Sequence, residues 1–172
     1  MAREPSGLVL VGPADGVLVD LGGLGVHFKV GAEASAGRLS IVEHPMAPGR
    51  LVPSHVHHAE DELSYVLEGT FGVRIGDAEG TAGPGTYIYK PRGVPHTFWN
   101  PGPAPARLVE IISPAGFERF FAELAELVRR SSDLAAFVTA RAALGERYGL
   151  GFLPDWDAEL TARHQLKLLG AP

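Results

Sequence analysis

Through roughly the first two thirds of the chain, apolar and polar residues alternate in short bursts, broken by Gly and Pro about every 8 to 12 residues. Alternation with a period of two marks half-buried strands, whose successive side chains face opposite ways. The pattern predicts strands at Leu8–Val11, Val17–Leu21, Leu24–Val30, Leu39–Glu43, Val52–His57, Leu63–Leu67, Phe71–Ile75, Tyr87–Tyr89, Thr97–Trp99 and Arg107–Ile112. The Gly-bearing turns after Leu67 and Ile75 fit hairpins, because Gly takes positive φ without a Cβ penalty. This rhythm is that of a sandwich or barrel. After Ser113 the period changes. Ser113 can cap a helix with Pro114 at its first position, and Phe117, Phe120, Phe121, Leu124, Leu127 and Val128 then recur at helical spacing. A second helix is expected from Ser132 or Asp133 to Gly145, and a third from near Asp155, carrying Leu160, Leu166 and Leu169. Short amphipathic helices are marginal alone. The reading is therefore residues 1–113 as a β-barrel domain and 114–172 as a helical extension packed on it, the first helix closing one mouth of the barrel.

Composition narrows the function. With 172 residues, 45% hydrophobic and 20% charged, the chain has material for one core and does not read as disordered. A net charge of −5 and the lack of a basic stripe argue against a nucleic-acid partner. No apolar run approaches the roughly 20 residues of a membrane span, and no signal-peptide stretch opens the chain, so no membrane partner and a cytoplasmic location are expected. Without cysteine there is no disulfide, thiolate nucleophile or Cys-ligated zinc. Any metal must be held by His and carboxylates.

Four of the seven histidines fall at His55, His57, His58 and His96. On a strand His55 and His57 share a face and present two imidazoles to one ion, while His58 points away. Glu62 follows on the wrong parity, so a bend over 58–61 is required to bring it round. His96 comes after Pro91, Gly93 and Pro95, which turn the chain tightly. Glu60 and Asp61 read as solvated turn residues, with orientation of a ligand histidine as the alternative. His27, His44 and His164 stand singly and read as structural or exposed. If His96 faces inward then so does Phe98, and parity from Glu62 sends Ser64 and Val66 inward; these three are the candidate substrate-pocket residues. The rows Tyr87/Tyr89 and Phe71/Val73/Ile75 are core or dimer interface, core being preferred.

The spacing Gly49-x5-His55-x-His57-x4-Glu62-x6-Gly69 resembles the first motif of the cupin superfamily, and Gly85-x5-Pro91-x-Gly93-x2-His96-x3-Asn100 resembles the second, both without a gap. What the resemblance implies is an all-β cupin fold, a double-stranded β-helix or jelly-roll barrel, here with a C-terminal α-helical extension. It also implies a homodimer and one divalent transition metal, Fe, Mn, Ni, Cu or Zn, held by His55, His57, Glu62 and His96. Such a set leaves coordination positions open for a small-molecule substrate, water or O₂. The resemblance extends to small quercetinase-like dioxygenases, in which Glu62 would double as catalytic base. A redox-silent isomerase or lyase and a non-catalytic ligand-binding cupin are the alternatives, because a fold does not determine chemistry.

Overall fold

The computed structural model describes residues 9–170. Eleven strands come first: β1 (Leu18–Asp20), β2 (Gly25–Val30), β3 (Ser40–Met46), β4 (Arg50–Leu51), β5 (His55–His57), β6 (Asp61–Glu68), β7 (Phe71–Ile75), β8 (Ala78–Ala82), β9 (Tyr87–Lys90), β10 (His96–Trp99) and β11 (Ala106–Ser113). Then come α1 (Glu118–Arg130), α2 (Leu134–Arg147), β12 (Leu150–Phe152), α3 (Pro154–His164) and β13 (Lys167–Leu168). One sheet has the order β1-β2-β3-β11-β6-β9; the other runs β12-β5-β10-β4-β13, with β7 joining β10 to β8. Neighbours are antiparallel except β13 on β4. The two sheets make an all-β jelly roll, with the helices C-terminal.

Strict alternation builds the first sheet. Along β3 and β11 every second residue is buried. Their inward residues Val42, Met46, Ala106 and Leu108 meet Val66 of β6, Phe71 and Val73 of β7, and Phe98 of β10 in one apolar core. In β10 all four residues are buried, because its outer side is covered as well. There Trp99 packs with Leu51, Leu160 of α3 and Leu166.

Several expectations are corrected. No strand forms over residues 9–11, and Leu8 lies outside the described residues. Strands β8, β12 and β13 carry too little apolar periodicity to be foreseen. Ser113 is not a helix cap. It ends β11, its hydroxyl donates to the Arg38 carbonyl, and α1 begins at Glu118 without a side-chain cap. Leu166 and Leu169 lie beyond α3, which stops at His164 because Gln165 turns left-handed. The segment after Ser113 also does more than pack on the barrel, since β12 pairs with β5 and β13 with β4. Tyr87 and Tyr89 are exposed on the edge strand β9 rather than in the core. Among the described residues no helix is long and apolar enough to cross a membrane.

Candidate metal centre

His55 and His57 lie on the same face of β5 and are both buried, as parity requires. Antiparallel pairing sets His96 of β10 directly opposite His55. Glu62 reaches the same point from the other sheet, because the chain crosses between sheets over 58–60 on its way from β5 to β6. That crossing is the bend the parity mismatch demanded. Gly93, at φ 76°, tightens the second motif by donating its N–H to the His57 carbonyl at 2.7 Å. Asn100 closes the loop after β10, its amide donating to the Met46 and Ala104 carbonyls and its Oδ1 accepting from Gly102 N.

All four residues are buried, and one ligand atom from each lies within 4.8 Å of all the others. Metal bonds of about 2.0–2.2 Å allow ligands up to about 4.4 Å apart, so small side-chain movements close the cluster on an ion. The hydrogen bonding agrees. His55 Nδ1 lies 2.7 Å from the Pro53 carbonyl and His96 Nδ1 3.0 Å from the Val94 carbonyl. A carbonyl only accepts, so each Nδ1 carries the proton and each Nε2 is a bare lone pair. Burial lowers both pKa values, which keeps these imidazoles neutral. His96 Nε2 thus meets Glu62 Oε2 at 3.2 Å, two acceptors face to face. His57 Nε2 sits 3.2 Å from Glu62 Oε1, yet is buried and makes no hydrogen bond. A cation among these atoms satisfies all of them at once. The residues fit a divalent ion.

The surroundings tune the cluster. Burial alone would lower His57, but the carboxylates of Glu62 and Glu60 push it up to about 9. An ion binding there displaces that proton. Glu60, expected in solvent, instead sets its Oε2 3.3 Å from His57 Nδ1 and orients that ring. Asp61 pairs outward with Arg92. Burial would raise Glu62, but Lys90 and His57 hold it well below the usual carboxylate range. Lys90 is the functional residue that spacing missed. It lies across from Glu62 in the β6–β9 register, fully buried, with Nζ 3.0 Å from Glu62 and 2.6 Å from Glu110. Glu110 also accepts from the Ser64 hydroxyl, and burial pushes its carboxyl up to about 7.

Above the cluster opens a cavity with about 70 Å³ of room for solvent. Its floor is His55, His57, Glu62, Glu110 and His44; its roof is Phe117, Phe120, Phe121 and Leu124 of the α1 region with Phe137 and Arg141 of α2 and Phe152 of β12. The Phe117 ring stands edge-on to His57, 4.3 Å between centroids. Of the three expected pocket residues, Phe98 is on the cavity wall, Ser64 is turned to Glu110, and Val66 packs in the core. His44 also faces the cavity, its Nδ1 2.9 Å from the Gly25 carbonyl.

A jelly roll holding a buried three-His, one-carboxylate cluster between its sheets defines a metal-binding β-barrel protein. Residues 43–112 match the family described as the cupin domain, a stretch that carries all four residues of the cluster. The fold is shared with KdgF from Halomonas sp. (18% identical, TM-score 0.58, covering 64% of this chain and 99% of that one). It is shared with an RmlC-like cupin from Shewanella frigidimarina (21%, 0.57, 67% and 98%). The tetracenomycin polyketide synthase protein TcmJ of Streptomyces glaucescens is 36% identical over 81 residues, 47% of this chain and 53% of that protein. The chain therefore matches about half the length of that curated relative.

Proposed function

We propose that this cupin is a metal-dependent oxidoreductase of the dioxygenase kind, acting on a small aromatic or enolic substrate. The observation that carries the reading is the convergence of four ligand atoms within 4.8 Å beneath a phenylalanine-lined cavity. His55, His57, Glu62 and His96 would hold the ion. A redox-active divalent metal there supplies a docking point for O₂ and a Lewis acid for a substrate oxygen.

The chain's own residues do the rest. Phe117, Phe120 and Phe121 exclude water and offer ring faces to a flat substrate. Lys90 keeps Glu62 ionised, so its carboxylate is available to accept a hydroxyl proton from substrate. The likeness to TcmJ, a polyketide synthase protein by its description, supports a polyketide as the substrate class.

The test is O₂ consumption by protein loaded in turn with Fe, Mn, Ni and Cu, over a panel of flavonoids, catechols and polyphenols. Substrate-dependent uptake is expected, lost in His57→Ala and His96→Ala along with stoichiometric metal. Anaerobic turnover supported equally by zinc would overturn the oxidative reading in favour of Lewis-acid isomerase or lyase chemistry.

A further inference from the structure

Arg141 of α2 lines the cavity roof, and its guanidinium lies over two of the cavity's rings, 5.0 Å from the centroid of Phe152 and 5.8 Å from that of Phe137. Phe152 is paired with His55 in the β12–β5 register, so Arg141 stands one side chain away from the metal-ligand strand. Its Nε is buried without a hydrogen-bond partner. Among the described residues no carboxylate lies within ion-pair distance of it, whereas Arg74, Arg92, Arg107, Arg147 and Arg163 each have one. Asp157, the acidic group that acts on Arg141 from farther off, spends its Oδ1 on Ser54 N at 2.7 Å. The two carboxylates that face the cavity, Glu62 and Glu110, are tied to Lys90. A half-buried cation whose buried N–H has no acceptor is costly to keep. Aromatic faces hold this one without satisfying its N–H donors, leaving its planar fork free for a ligand.

We propose that Arg141 is the anion-recognition residue of this cavity, taking the carboxylate of a small aromatic acid whose ring lies among the phenylalanines and whose far side meets the metal cluster. The proposal rests on reading the cavity as a substrate site. A carboxylate matches the fork through two parallel N–H···O bonds, and it supplies the acceptor that Nε lacks. Such a ligand spans the site from roof to floor, so Arg141 selects for charge and fixes the orientation of the ring.

The probe is benzoate, with benzamide as its uncharged counterpart, titrated by calorimetry into the full chain both metal-free and zinc-loaded. Wild-type protein is expected to prefer benzoate by at least about tenfold. Arg141→Gln should erase that preference while leaving benzamide affinity within about twofold, and Arg141→Lys should keep part of it. A preference unchanged in Arg141→Gln, or equal loss of both ligands, overturns the proposal. Should Arg141→Gln not fold, wild-type protein labelled with ¹⁵N at arginine Nε decides. One buried Nε–H resonance must move with benzoate and not with benzamide, and a spectrum unmoved by benzoate overturns the assignment. Zinc titration alone separates the two readings: absence of a stoichiometric metal site sinks the proposed function, while the benzoate preference stands or falls by itself.

Discussion

On the floor of the cavity, the buried carboxylates of Glu62 and Glu110 share the ammonium of Lys90, whereas on the roof the guanidinium of Arg141 lies against aromatic rings with, among the described residues, no carboxylate within ion-pair distance. Glu62 and Glu110 of the floor are carried by strands with ladders on both sides, β6 lying between β11 and β9 and β11 between β3 and β6. The roof is carried by helices that meet the barrel through phenylalanine and leucine contacts and through the three residues of β12. Polar groups held by ladders can be placed to fractions of an ångström, which ligation of an ion demands. Apolar packing tolerates variation of shape, which suits the substrate side.

Breaking the floor should cost the most. Lys90→Met leaves two carboxylates buried without a cation, and metal-free protein should lose about 3–5 kcal/mol in denaturant unfolding. Metal at Glu62 should recover part of that loss. A change below about 1 kcal/mol would show that the floor is not the electrostatic unit described.

On the roof, Phe120→Ala removes a buried ring from the cluster with Phe117, Leu144 and Leu150. A loss of about 3–4 kcal/mol is expected, with metal affinity unchanged. Weaker metal binding in this variant would mean that the two walls are mechanically coupled.

His44 sharpens the contrast by pH. Burial lowers it from 6.5 to about 4, so between those values the unfolded chain binds a proton that the folded chain refuses. Its contribution is complete above pH 6.5 and is lost as pH falls toward 4, by about 3 kcal/mol at most. The stability difference between wild type and His44→Asn, followed from pH 7 to 4, should narrow by that order. A constant difference would place the acid sensitivity elsewhere.

The smallest effect is expected at the edge of the floor. Glu60→Gln keeps an acceptor for His57 Nδ1 but removes the charge, and metal affinity should fall by about tenfold. Calorimetric titration with zinc measures it, and no change would return Glu60 to the solvated turn that its sequence context suggests.

The candidate ligand set was legible because two gapless motifs resemble those of a known family: two histidines two apart on a strand, a carboxylate after a turn, and a histidine after a Pro/Gly-rich bend. Strand parity converts those intervals into faces, and the mismatch at Glu62 called for a bend, which the structure makes as a change of sheet. The outward tyrosines of β9 were misjudged because parity gives two faces without saying which one is inside. Glu60 was underestimated because a turn residue's reach depends on how the turn closes.

What the sequence by itself determined is the strand rhythm, the switch to helices after Ser113 and the shared face of His55 and His57, since each depends on residues near one another along the chain or on a period the backbone imposes. Only the tertiary structure decided that Lys90 and Glu110 join the floor, that β12 and β13 complete a sheet, and that Arg141 hangs over the site. Those placements follow from cross-strand register and helix docking between segments dozens of residues apart. No local period encodes them, because they are set by the packing of the whole chain.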